Sequence, residues 1–237
     1  MSQCGTRLRR GGGRNLKLLR QFYDKKAAFT LAEVLITLGI IGVVLSLTMP
    51  LLITKYQKKV TVEKLKKVYS MMKQVEMNAV SEYGEMGTWG GTYYPKDEAE
   101  KRILSEYIIP YLNVSKTCFN GECEYSYKDY SGNIYDMTNK FGFILTDGTI
   151  IKIYDSHIGY DWDTSFLQGS YVIDINGFKG PNRMGRDVFF AQYAVGNFPS
   201  PSLFYFFASN GCKKSSLMGC YNKIYVDSWQ IKENYPW

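Results

Sequence analysis

Between Phe29 and Ile53 the chain carries one ionisable side chain, Glu33, in a run otherwise made of apolar and small residues. As a helix rising about 1.5 Å per residue, this run reaches across the roughly 30 Å apolar core of a bilayer. Glu33 lies one turn inside it. A lone carboxylate there costs about 2.5–3.5 kcal/mol on insertion scales, which calls for a partner. The natural candidate is a positive charge that the same chain could create at Phe29.

Charge is distributed in a way that fits this topology. The sequence holds 29 Lys+Arg against 22 Asp+Glu. Residues 1–28 contain Arg7, Arg9, Arg10, Arg14, Lys17, Arg20, Lys25 and Lys26 against Asp24, so they carry the whole excess of +7 and leave 21 basic and 21 acidic residues after Ala28. Basic residues before an apolar run hold that end in the cytoplasm. The high overall isoelectric point therefore gives no argument for nucleic-acid binding. A secretory signal peptide fits poorly, because the apolar run exceeds a 7–15-residue signal core and no small-x-small site follows it.

The segment Lys25-Lys26-Ala27-Ala28-Phe29-Thr30-Leu31-Ala32-Glu33, followed by Gly42 and Pro50, resembles the prepilin family: type IV pilins, type II secretion pseudopilins and competence-pilus subunits. The resemblance covers about residues 25–55. It implies cleavage between Ala28 and Phe29 by a prepilin peptidase, N-methylation of Phe29, and Glu33 as the fifth residue of the mature chain. It also implies that Glu33 of an incoming subunit pairs with the N-terminal amine of a neighbour, with Gly42 and Pro50 as further assembly positions. One departure is Ala28, where the family usually has Gly. The implied partners are other pilins, the peptidase, a membrane platform and, indirectly, an ATPase. The implied location is a single-pass inner-membrane precursor that becomes a periplasmic or cell-surface filament.

Beyond Ile53 the helical pattern continues but becomes amphipathic. Val60, Leu65, Val68, Tyr69, Met72, Val75, Ala79, Val80 and Tyr83 recur at three- and four-residue steps, and Gly84 ends the run. A continuous helix from Phe29 to Tyr83 would be about 80 Å long, with Pro50 expected to kink or locally melt it. Gly87 to Gly91 reads as a flexible turn. Asp97–Ile109 reads as a short helix capped by Asp97 and ended before Pro110. From there the pattern is β: Phe141–Ile153 forms a hairpin about Asp147-Gly148, Tyr171–Ile175 and Val188–Tyr193 are strands, and Ser202–Ala208 is a weaker one. The expected organisation is a leader, residues 1–28; a membrane and assembly helix, 29–54; its amphipathic continuation, 55–84; and an extracytoplasmic domain, 85–237. The expected fold class is α+β and pilin-like, a long N-terminal helix packed by its second half on a small antiparallel sheet.

After Cys4, four cysteines remain: Cys118, Cys123, Cys212 and Cys220. They allow three disulfide pairings. Two close pairs favour Cys118–Cys123, across an Asn120-Gly121 turn, and Cys212–Cys220. A zinc site is the rival, with spacings unlike a zinc ribbon.

Asp174, Asn176 and Asp187 offer oxygen ligands of the kind calcium uses, and some pseudopilins hold calcium in a loop between late strands. The loop lacks the EF-hand pattern, and Lys179, Arg183 and Arg186 oppose a cation, so side chains capping their own backbone are the favoured reading. No other cofactor is indicated. His157 is the sole histidine, and no nucleophile elbow, H-E-x-x-H, phosphate loop or dinucleotide fingerprint accompanies it, so an enzyme is not expected. Tyr93, Tyr94, Tyr160, Trp162, Phe189, Phe190 and Phe204–Phe207 could stack on sugar or single-stranded DNA, although sheet and core positions account for most of them. Two rival functions follow: a minor pilin whose aromatic domain binds DNA or a surface ligand, and a signal-anchored envelope enzyme.

Overall fold

The computed structural model describes residues 30–89, 96–119, 121–138, 141–161, 164–196, 199–206 and 211–237. The chain divides into two compact units, residues 1–52 and 53–237. Helix α1, Leu31–Tyr83, contributes its first part to one and its second part to the other. Residues 55–84 and 85–237 therefore fold as one unit.

In the first unit, every described residue is exposed, including Leu35, Ile36, Leu38, Ile40, Val43 and Leu47. Helical backbone runs through Pro50, so the local melting expected there does not occur. Proline costs a helix one N–H donor. In membrane helices such a loss is tolerated because neighbouring helices and Ser or Thr side chains satisfy the freed carbonyl.

In the second unit, α1 buries Val62, Leu65, Val68, Met72, Val75 and Ala79 along one stripe. Full burial of a Val, Leu or Met side chain contributes about 1.5–3 kcal/mol. Gly84, at φ +79°, then terminates the helix through a bond from its N–H to the Val80 carbonyl.

The stripe packs on a six-stranded antiparallel sheet of spatial order β1-β4-β5-β6-β7-β8. The strands are β1 Val114–Cys118, β4 Gly142–Leu145, β5 Ile150–Asp161, β6 Thr164–Asp174, β7 Val188–Gly196 and β8 Ser202–Tyr205. β2 Ser126–Lys128 and β3 Ile134–Asp136 form a separate hairpin. The register sets two faces. Ile151, Ile173 and Phe189 align across β5, β6 and β7 and join the core with α1. Lys152, Val172 and Phe190 align one residue away, on the opposite face, where Val172 and Phe190 pack with Tyr125 and Tyr127 of the β2 region. Near-continuous apolar runs such as Val188-Phe189-Phe190-Ala191 follow from burial on both faces.

Several expectations need correction. The helix near 97–109 is α2, Lys96–Arg102, followed by a π turn, Ile103–Ile108, and a 3-10 turn, Ile109–Tyr111, that contains Pro110. Proline is tolerated there because its absent N–H belongs to the first turn. The π turn brings Ile103, Leu104, Tyr107 and Ile108 into the core together. Of the Gly87–Gly91 stretch, the described residues 87–89 overlap a 3-10 turn, Met86–Thr88, and Trp89 is a core residue stacked on Tyr107 at 4.3 Å. Phe189, Phe190 and Phe204 are buried and so unavailable as stacking surfaces. Tyr93, Tyr94, Trp162 and Phe207 lie outside the described residues. Helix α3, Cys220–Val226, had no sequence signal, and it seats Tyr221 against α1 through a bond to the Leu65 carbonyl at 2.6 Å.

Candidate functional site

Ala28 and Phe29 lie outside the described residues. The neighbouring turn is built by Thr30 and Glu33. Thr30 N–H and Oγ1–H both donate to Glu33 Oε2, at 2.8 and 2.9 Å, and Glu33 N–H donates to Thr30 Oγ1 at 3.2 Å. This is a capping box, in which Thr at the N-cap and Glu three residues on satisfy each other's backbone donors. Its Thr-x-x-Glu signature is plain in Thr30-Leu31-Ala32-Glu33, and Thr30 is the functional neighbour that the sequence reading left out. Glu33 Oε1 accepts no bond among the described residues. The carboxylate is thus held in place at the start of α1 through its Oε2.

Gly42 faces open space on α1, and a Cβ there would meet nothing within 4 Å. Small residues at such positions let helices approach closely in an apolar medium. α1 is long and apolar enough to cross a membrane by length and composition.

The loop following β6 brings Asp174, Asn176 and Asp187 into one cluster, joined by hydrogen bonds. Asp174 Oδ1 accepts the N–H groups of Asn176 at 2.9 Å and Gly177 at 2.8 Å, and its Oδ2 accepts the Tyr125 hydroxyl at 2.5 Å. Asp187 accepts the N–H groups of Arg183 at 2.5 Å and Asn182 at 2.8 Å, and the Asn176 side-chain amide at 3.2 Å. Both carboxylates therefore organise backbone in the Asx manner. Among the described residues, no three His, Cys, Asp or Glu side chains converge as a metal set. Desolvation pushes the Asp174 carboxyl up to about 7, against the lowering effect of its three hydrogen bonds. Burial likewise raises Asp187, opposed by the N–H groups it accepts.

Lys152 lies on the same face of the sheet as Asp174. It is 1 % exposed, and its ammonium donates to the carbonyls of Cys123 at 2.5 Å and Met137 at 2.7 Å. Desolvation pushes its pKa down to about 8. The lysine ties the segment before β2 to the segment after β3, and nothing in the apolar run Ile150-Ile151-Lys152-Ile153 signalled that role.

Disulfides join Cys118 to Cys123 and Cys212 to Cys220. His157 has its backbone in β5, opposite Gln168; its side chain lies outside what is described.

The family model described as a family of unknown function (DUF6613) matches residues 51–194. The prokaryotic N-terminal methylation motif matches residues 23–49, which is the type IV prepilin leader signature. No curated protein and no solved structure matches the chain.

Proposed function

We propose, from the premise that the chain belongs to the family of unknown function DUF6613 and is pilin-like at its N-terminus, that it is a structural subunit of a type IV pilus or type II secretion-like filament. The observation that carries this reading is the methylation motif over residues 23–49, leading into the apolar first part of α1, whose residues 31–52 are all exposed. A prepilin peptidase cuts between Ala28 and Phe29 on the cytoplasmic side of the inner membrane, and Phe29 is N-methylated. The mature subunit then leaves the bilayer and packs its apolar helix among other pilins, driven by a membrane platform and ATPase. No catalytic role is assigned to it.

Glu33 gives the assembly its register. Within one subunit its Oε2 caps the helix through Thr30. Its carboxylate accepts the Phe29 ammonium of a neighbour. Pairing removes much of the cost of a carboxylate held in an apolar environment. Glu33→Val is expected to leave leader removal intact and to abolish incorporation into filaments. Cell fractionation with shear release of surface filaments checks this, and normal incorporation of the variant would defeat the pairing.

A further inference from the structure

A cleft of about 260 Å³ opens on the globular unit, on the face of the sheet away from α1, between two segments far apart in sequence. One wall is the β2–β3 hairpin, with Tyr127 and Tyr135 stacked at 5.2 Å and 11°. The other wall is the 214–218 stretch inside the loop closed by Cys212–Cys220. Tyr154 also lines it, edge-on to the buried Phe190 at 5.4 Å.

Both walls are held before any ligand arrives. Asp129 accepts the Asn133 N–H at 2.9 Å and its side-chain amide at 2.7 Å, fixing the hairpin turn, in which Gly132 takes φ +92°. Lys213 and Ser216 exchange two backbone bonds at 2.9 Å on the opposite side. Preorganisation of this kind lowers the ordering cost of binding.

We propose that this cleft is a binding site for a single neutral sugar unit, a hexose or N-acetylhexosamine. Its volume of about 260 Å³ lies just below the range of pockets that hold drug-sized ligands, which suits one small ring. Tyr135 is 41 % exposed and offers an aromatic surface to the C–H face of a pyranose. Ser131, Ser215 and Ser216 supply hydroxyls that both donate and accept, as the alternating hydroxyls of a sugar require. An aliphatic ligand would leave those groups unpaired.

Charge decides against nucleic acid. Arg183 is engaged with the Tyr130 ring at 5.8 Å and the Tyr130 carbonyl at 3.2 Å. Lys214, at 5.2 Å from the same ring, faces a cleft that also contains the Asp129 carboxylate. A strand of nucleic acid needs a groove of unopposed positive charge along its backbone. The inference concerns the globular unit alone, so it neither requires filament assembly nor fails with it.

The test uses full-length protein in a phosphocholine detergent, which carries no sugar headgroup. Glucose, galactose, N-acetylglucosamine, N-acetylgalactosamine and lactose are titrated by saturation-transfer NMR. At least one is expected to bind saturably, with a Kd of about 2 mM given the ligand efficiency of small molecules. Tyr135→Ala is expected to weaken binding about tenfold or more, while Tyr135→Phe, which keeps the ring, stays within about threefold. Ser215→Trp, an exposed change on the opposite wall, should block the cleft and so provides a second variant if Tyr135→Ala misfolds. The proposal is overturned if none of the five sugars binds, or if binding survives both Tyr135→Ala and Ser215→Trp. Oligo-dT binding that these two variants abolish would also overturn it, by assigning the cleft to nucleic acid.

Discussion

Asp174→Asn isolates the cost of burying one carboxylate. Asp174 is fully inaccessible to solvent, and desolvation lifts its pKa from an ordinary 3.8 to about 7. The folded state therefore holds a proton that the unfolded state releases between these values. Stability from this group is fully present below pH 3.8 and is lost as pH rises through 7. At 1.36 kcal/mol per pKa unit the whole range is about 4 kcal/mol, of which about 3 kcal/mol falls between pH 5 and pH 8.5. Asparagine is a neutral isostere. Its Oδ1 can still accept the N–H groups of Asn176 and Gly177, and its amide can donate to the Tyr125 oxygen. The variant is therefore expected to gain on the wild type by about 3 kcal/mol as pH rises from 5 to 8.5. Denaturant unfolding in detergent, followed by tryptophan fluorescence, measures the difference at each pH. A difference that stays constant with pH would refute the raised pKa. A wild type that outgains the variant at high pH would show that the hydrogen bonds outweigh desolvation.

Lys152 shifts the opposite way. Its pKa is pushed down to about 8, so above that value the folded state binds fewer protons at this site than the unfolded state, and the contribution of Lys152 alone to stability rises by about 2 kcal/mol between pH 7.5 and 9.5. Lys152→Met should abolish that rise in the same unfolding assay. Gly142→Ala would place a Cβ against the Ile151 carbonyl and 2.7 Å from Lys152 Cα, both backbone, and is expected to destabilise by about 3 kcal/mol, read as a lower denaturation midpoint. Millimolar calcium is expected to leave thermal unfolding unchanged, since Asp174 and Asp187 are committed to backbone N–H groups and Tyr125. A rise in Tm that Asp187→Ala erases would place an ion in that loop instead.

The parts legible in the sequence were those governed by short-range rules. The apolar run, the amphipathic stripe from Leu65 to Ala79, the Asp147-Gly148 hairpin, the end of β6 from Tyr171 and most of β7 each write their period into neighbouring residues, whereas Val62, buried where Val60 was expected, and the first half of β6 do not. What stayed hidden depends on contacts across the chain. Tyr221 reaches Leu65 over 156 positions, and Tyr125 reaches Asp174 over 49. The π and 3-10 turns through Pro110 arise because Ile103, Leu104, Tyr107 and Ile108 all meet one core, which local helix signals cannot encode. The Thr30–Glu33 capping box was the reverse case: a local signal present in the sequence and overshadowed by the charge question at Glu33. The tyrosine cleft combines a hairpin with a disulfide-closed loop about eighty residues later, so no window of sequence contains it.

The central claim is that residues 1–28 are a leader and that the working molecule begins at Phe29. Intact-mass and N-terminal peptide mass spectrometry of the protein from membrane and surface fractions tests this directly. The account predicts a chain beginning with N-methyl-Phe29. A chain that retains Met1 to Ala28 in those fractions would contradict it.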